Sequence, residues 1–191
     1  VHNNYAGSIP LYSRLQALDA NTGEQVSESH DFDSPINRSI ITPDGKYWVG
    51  CFGRLFGRDI ACRVEVRALP GLELVRTIPF QEVVRTVDVS GDGQRLLIGA
   101  GKPDQVGFAQ VFDFDTGKPL TPRVTHQNYV EHVQFLHEDR HVLSKGRSGV
   151  IRLWNSRTGD AVAPAIQIDR LVGGLAVSPD ERWLALGTGT N

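Results

Sequence analysis

The residues that could do chemistry come first. His132, His137 and His141 fall close together and are the first group that could hold a metal. A metal needs side chains that converge, and no Cys or carboxylate set completes this group, so it reads as surface or partly buried histidine. Asp113 and Asp115, with Asp88 one strand away, could supply carboxylates, but acidic residues at strand ends and turns more often cap those turns. Gly99-Ala100-Gly101-Lys102 is superficially a phosphate loop. It lacks the first Gly, has Pro103 where Ser or Thr is needed, and runs on into strand rather than helix. Gly187-Thr188-Gly189 fails the dinucleotide pattern for the same reason. Cys51 and Cys62 end one strand and begin the next, so they could face each other as a disulfide; the preferred reading is two buried thiols. A bridge would argue for export, so the thiol reading favours the cytoplasm. No Ser/His/Asp or Cys/His arrangement has a recognisable local context. The expectation is a protein that is not an enzyme and carries neither cofactor nor metal.

The elements that must position any site emerge from two recurring landmarks. Turns at Thr42-Pro43-Asp44-Gly45, Ser90-Gly91-Asp92-Gly93, Leu136-His137-Glu138-Asp139 and Ser178-Pro179-Asp180-Glu181 precede apolar runs. Their acidic residues Asp44, Asp92, Glu138 and Asp180 are spaced 48, 46 and 42 apart. Turns ending in Gly23, Gly71, Gly117 and Gly159 keep the same spacings of 48, 46 and 42. Two independent landmarks in one register define a repeat. Each repeat reads as four short strands; in the third these are Val130–Phe135, Arg140–Lys145, Gly149–Trp154 and Asp160–Gln167. Arg63-Val64-Glu65-Val66-Arg67 alternates with the period of a half-buried strand, and no segment has a helical period. The Pro-Asp-Gly turns follow from backbone chemistry: Pro presets φ, Asp caps, and Gly takes positive φ. The fold class is therefore all-β, a β-propeller of four-stranded antiparallel blades. One region covers 1–191, with repeats near 1–31 (half), 32–79, 80–125, 126–167 and 168–191 (half).

Composition sets bounds on function. The chain has 191 residues, with 20 Lys and Arg against 22 Asp and Glu. A net charge of −2 excludes a nucleic-acid binder of the electrostatic kind. No apolar run reaches the ~18 residues of a membrane helix, so no membrane partner is expected. The chain has no Met and begins with Val1, which points to a processed form or a fragment. The fragment reading is preferred. The chain opens on the third and fourth strands of a repeat (about Ser13–Ser29) and closes on the first and second (about Val172–Gly187). Such complementary halves allow closure into four blades, membership of a larger ring, or self-association of two chains through open blade edges into one ring.

The third repeat carries the sharpest motif. His126, four residues before Val130, is followed by Ser144 and then by Val150-Ile151-Arg152-Leu153-Trp154-Asn155. This resembles a WD40 repeat. The resemblance implies a hydrogen-bonded network of His126, Ser144, Ser148 and Trp154, with Ser148 standing where the family has Asp and Asn155 replacing the Asp of the Trp-Asp pair. The other repeats have Phe32, Phe80 and Ile168 at the His position, and Leu18, Val66 and Phe112 at the Trp position. Replacing both members of a buried polar pair by apolar groups can be nearly neutral, which supports a structural role for His126. A second resemblance, of Leu15–Glu24 to repeats of quinoprotein-type propellers, implies the alternative of a cofactor-binding or enzymatic propeller. It ranks second, because those repeats usually lack the Pro-Asp-Gly turn.

Length variation locates the candidate binding face. The distance from each Gly landmark to the next acidic turn is 21 throughout, whereas the return distances are 27, 25 and 21. The extra residues lie between second and third strands, in Gly53–Ala61 and Gly101–Gly107. In WD40-like propellers these loops share one face with the connections between repeats. The expected partner is a protein or peptide held by Arg54, Phe56, Arg58, Asp59, Lys102 and Asp104, with Gln127, Asn128 and Tyr129 from the companion loop. The implied function is a non-enzymatic scaffold or sensor module.

Overall fold

The repeated turns close hairpins, and their side chains explain how. In the computed structural model, which describes residues 13–53, 61–169 and 172–189, the Thr42 hydroxyl donates to Asp44 Oδ1 at 2.6 Å, and the same oxygen accepts from Lys46 N at 3.1 Å. Gly45 follows at φ +73°. Ser90 and Asp92 repeat the pattern at 2.6 Å, as do Ser178 and Asp180. The Gly landmarks close a wider turn: Gly23, Gly117 and Gly159 each take positive φ and donate to the carbonyls of Asp19, Asp113 and Asn155. Asn155 Oδ1 accepts from Arg157 N and Thr158 N, as Asp19 Oδ1 accepts from Asn21 N and Thr22 N. An amide therefore caps this turn as a carboxylate does elsewhere.

Sixteen strands lie among the described residues, and no helix. β1 (Ser13–Leu15) and β2 (His30–Phe32) form a two-stranded sheet. Three four-stranded antiparallel sheets follow in chain order. The first holds β3 (Ile36–Ile41), β4 (Tyr47–Phe52), β5 (Cys62–Ala68) and β6 (Leu74–Phe80). The second holds β7 (Val84–Val89), β8 (Arg95–Ala100), β9 (Gly107–Asp113) and β10 (Val124–His126). The third holds β11 (Val130–Leu136), β12 (His141–Gly146), β13 (Val150–Asn155) and β14 (Ile166–Gln167). β15 (Val172–Val177) and β16 (Leu184–Thr188) make a last hairpin. No sheet closes on itself among the described residues.

Two outer strands differ from the sequence reading. Asp160–Gln167 contributes only Ile166–Gln167 plus an isolated Trp154–Ala161 bridge. Pro164 has no N–H for the ladder, and an outer strand has a partner on one side only. In the opening half-repeat the second strand sits at His30–Phe32, after the expected end at Ser29.

The core lies between sheets. Leu96 and Ile98 pack toward the first sheet against Val49, Val64 and Val66. Leu97, between them, packs toward the third sheet with Val111, Val133 and Trp154. A strand buried on both faces explains the unbroken apolar run, because successive side chains point to opposite faces. Phe32, Trp48, Phe52 and Leu72 join the first hairpin to the first sheet. Leu136, Leu143 and Ile151 meet Leu175, Val177 and Leu186 of the last hairpin.

Candidate functional site

All four leading strands carry an irregularity at one register. β3 slips against β4 between Ile36 and Arg38, β7 against β8 between Val84 and Thr86, β11 against β12 between Val130 and His132, and β15 against β16 between Val172 and Gly174. The extra residues are Asn37, Arg85, Glu131 and Gly173. A bulge bends its strand and re-aims the side chain it carries. Asn37 uses this to clasp two sheets, donating from Nδ2 to Gly53 O at 3.0 Å and Val84 O at 2.7 Å.

Arg85 and Glu131 instead face a cavity of about 360 Å³ that also receives Arg38, His132, Lys145 and Arg147. Lys145 is 3% exposed, which a lysine tolerates only with partners. Its Nζ donates to Glu131 Oε2 at 2.6 Å and to the Val172 carbonyl. Glu131 Oε1 accepts from Arg147 at 3.2 Å. The Arg85 guanidinium lies 4.8 Å from the centre of the Tyr129 ring. Burial pushes the His132 imidazole below its ordinary range despite a hydrogen bond it donates to the Gln134 side chain, and Arg38 and Lys145 push the same way. Its Nε2 is buried without a hydrogen-bond partner among the described residues. The arrangement can hold an anion.

The sequence-predicted residues divide. Tyr129 sits at this site through Arg85, and its carbonyl accepts from Arg147 N at 2.9 Å. Asn128 Oδ1 accepts from Tyr129 N at 2.8 Å, and Gln127 is exposed. Lys102 and Asp104 sit in the turn after Gly101 and are not among the side chains that line the cavity. That turn is nonetheless adjacent, since a Cβ on Gly101 would fall 2.8 Å from Tyr129 Cα. Arg54, Phe56, Arg58 and Asp59 lie outside the described residues.

Sequence reasoning missed Arg38, Arg85, Glu131, Lys145 and Arg147. One signal was present in the repeat register. Lys145 pairs with His132 where Cys51 pairs with Arg38, Gly99 with Thr86 and Gly187 with Gly174. A charged residue stands where the other repeats keep small ones.

The polar network assembles in three of its four members. His126 Nε2 is 2.9 Å from Ser144 Oγ, which accepts from Trp154 Nε1 at 3.0 Å. Ser148 Oγ is buried with no hydrogen-bond partner among the described residues. One repeat earlier, the equivalent Phe80 of the first sheet and Phe112 of the second meet edge to face at 5.6 Å. Burial, and secondarily Arg152, lowers the His126 pKa to about 4, so the imidazole is neutral at pH 7.

The three clustered histidines do not converge. His137 Nδ1 lies 2.8 Å from Glu181 and its ring stacks edge-on against His141, while His132 is drawn to the cavity. Among the described residues no group of three or more His, Cys, Asp or Glu is placed to hold a metal. Asp113 caps its turn, held below the usual carboxylate range by the Thr116 hydroxyl and N–H. Asp88 is separate: burial raises its pKa, and Oδ2 accepts from Phe135 N at 2.7 Å. Cys51 pairs with Val64 and Cys62 with Phe80, so the two are not ladder partners; both are buried and no disulfide joins them.

No family model and no curated protein matches the chain. Among solved structures, the crystal structure of the computationally designed Ika8 protein is similar, with a TM-score of 0.72 over 91% of this chain at 18% identity. The chain spans 49% of that protein's length. At this identity the likeness shows the fold alone.

Proposed function

We propose that the chain is a stretch of a WD40-like β-propeller that binds a protein or peptide, without catalysis, at the loop end of its sheets. Four features support the propeller: the 48, 46 and 42 spacing, the successive four-stranded sheets, the His126–Ser144–Trp154 network and the shared fold. The observation that carries the binding function is the cavity of Arg38, Arg85, Lys145 and Arg147 around Glu131. It opens at the end where the connections between the second and third strands of each sheet vary in length. Charge collected at one strand end, with Lys145 buried and Arg85 and Glu131 half-buried, serves no need of the repeat, because the bulge positions elsewhere are filled by Asn37 and Gly173 and the positions equivalent to Lys145 by Cys51, Gly99 and Gly187.

The test is a displayed random-peptide library panned on the immobilised chain. Retention of the selected peptides is then compared on a Lys102→Ala, Gln127→Ala, Asn128→Ala, Tyr129→Ala variant. Selected peptides are expected to bind the parent chain and lose the variant while its melting transition stays in place. A library that yields no enriched peptide, or peptides held equally by both proteins, refutes the reading.

A further inference from the structure

We propose that the cavity lined by the Arg85, Glu131 and Gly173 bulges is an oxyanion subsite, taking a carboxylate or phosphoryl group carried by an acidic peptide partner; this deepens the peptide-binding reading above and rests on it.

The charge balance is the first argument. Arg38, Arg85, Lys145 and Arg147 line the cavity with a single carboxylate, Glu131. That carboxylate is committed on both oxygens, to Lys145 and to Arg147. Neither Arg38 nor Arg85 forms an ion pair with any described residue, and among the described residues Glu131 is the one acidic side chain lining the cavity, while Arg38 also borders an adjoining cleft with Asp88 and Asp139 and acts on Asp88 at longer range. The whole chain is slightly acidic, at −2, so this excess is local rather than a reflection of composition. Four cations against one carboxylate leave an excess of like charge, and an incoming anion relieves the repulsion.

Geometry is the second argument. A guanidinium presents a planar fork that matches carboxylate and phosphate oxygens. The Tyr129 ring at 4.8 Å restrains the Arg85 plane, which reduces the entropy lost on binding. The cavity already holds one carboxylate of the protein's own in this way, with Glu131 between an ammonium and a guanidinium. On its fourth side are Gly173 and Gly174, and a Cβ built on Gly174 meets nothing within 4 Å. That side is open to a ligand group.

Repeat logic is the third. The bulge occurs in all four leading strands, yet its residue is Asn37, Arg85, Glu131 or Gly173. The backbone feature therefore does not require charge. The charged residues cluster at two adjacent bulges and at Lys145, all facing one space.

The test is an NMR titration of the full chain, observing backbone amides and arginine Nε–H groups, with blocked peptides Gly-Ser-X-Ser-Gly in which X is phosphoserine, glutamate or glutamine. The charged peptides are expected to bind about tenfold or more tightly than the glutamine peptide, the scale of one charge-assisted pair. Arg38→Ala and Arg85→Ala should each erase that preference, with Arg38→Gln and Arg85→Gln as checks that shape alone is not the cause. Arg38 is exposed, so its variants should keep the amide spectrum of the folded chain. Both charged peptides binding alike supports a carboxylate-sized site, and a strong preference for phosphoserine supports a phosphoryl site. A glutamine peptide bound as tightly as the charged ones, or a preference surviving in the Arg38→Ala, Arg85→Ala double variant, overturns the subsite. Library peptides that still bind the loop end would then leave the broader reading standing, whereas failure of both experiments removes both.

Discussion

Replacing His126 by Phe should remove a specific acid sensitivity. The imidazole is 2% exposed, and burial lowers its pKa to about 4 from the 6.5 of an unfolded chain. The sign follows from where the proton binds. Below 6.5 the unfolded chain takes it up, and the folded protein does not until about 4. Stability from this group is therefore complete above 6.5 and is lost as the pH falls toward about 4. Linkage puts the loss at about 2 kcal/mol at pH 5, rising to about 3 kcal/mol at pH 4. Phe is the natural replacement, since Phe80 fills the equivalent place one repeat earlier, packed against Phe112 of the second sheet. The assay is urea unfolding of both proteins at pH 7 and pH 5, with equal m-values as the condition for comparison. Every other titrating group is common to the two, including His132. The parent chain should lose about 2 kcal/mol more between these pH values than His126→Phe does. An identical loss in both proteins would refute the assignment of a neutral, buried imidazole.

Three further outcomes can be checked independently. Asn37→Ala removes hydrogen bonds to Gly53 O and Val84 O that join two sheets, and should lower stability by about 1–2 kcal/mol in denaturant unfolding; no change would show the clasp to be idle. Gly107→Ala would place a Cβ 2.5 Å from Asn128 O and 2.8 Å from Tyr129 Cα, both parts of the neighbouring connection. That overpacking should cost roughly 3 kcal/mol and lower the melting temperature by several degrees, and an unshifted melt would contradict the geometry. Burial pushes the Cys51 thiol up to about 12, so it should resist a thiol-specific disulfide reagent at pH 8 in the native chain and react promptly in denaturant; rapid native labelling at Cys51 would contradict its burial.

Much of the fold was legible because its punctuation is local. Asp44, Asp92 and Asp180 cap turns through side chains two residues away, so the turn is written within four residues. Outer strands were less legible, since Asp160–Gln167 has the composition of a strand but Pro164 and a single pairing partner leave only Ile166–Gln167. The candidate site was legible at Tyr129, which lies on a connection of varied composition. Arg38, Arg85 and Glu131 were not, because a bulge is a property of two strands in register and has no signature in one of them. Simple alternation places such charges on the solvent side of a strand, and only the slipped pairing turns them toward a common cavity.

The two ends of the sheets are held together differently, and this bears on where variation is tolerated. At the turn end, neighbouring sheets are joined by hydrogen bonds that involve main-chain groups. Gly91 N donates to Asp139 Oδ2 at 2.6 Å, Arg95 donates to Asp139 O at 3.2 Å, Arg76 donates to the Phe114 carbonyl, and His137 N donates to Glu181. A change of length there would break contacts across a sheet boundary. At the other end the described cross-sheet ties are side-chain devices that differ from one boundary to the next: Asn37 at one, Arg85 on Tyr129 at the next, Lys145 on Val172 at the last. Each bulge leaves its extra residue outside the ladder, so that residue can change without loss of sheet pairing. The same freedom extends to the connections Gly53–Ala61 and Gly101–Gly107, where all the length variation lies. The variable connections and the variable bulge residues thus share one end of the sheets, and the cavity of Arg38, Arg85, Lys145 and Arg147, where binding is proposed, stands at that end.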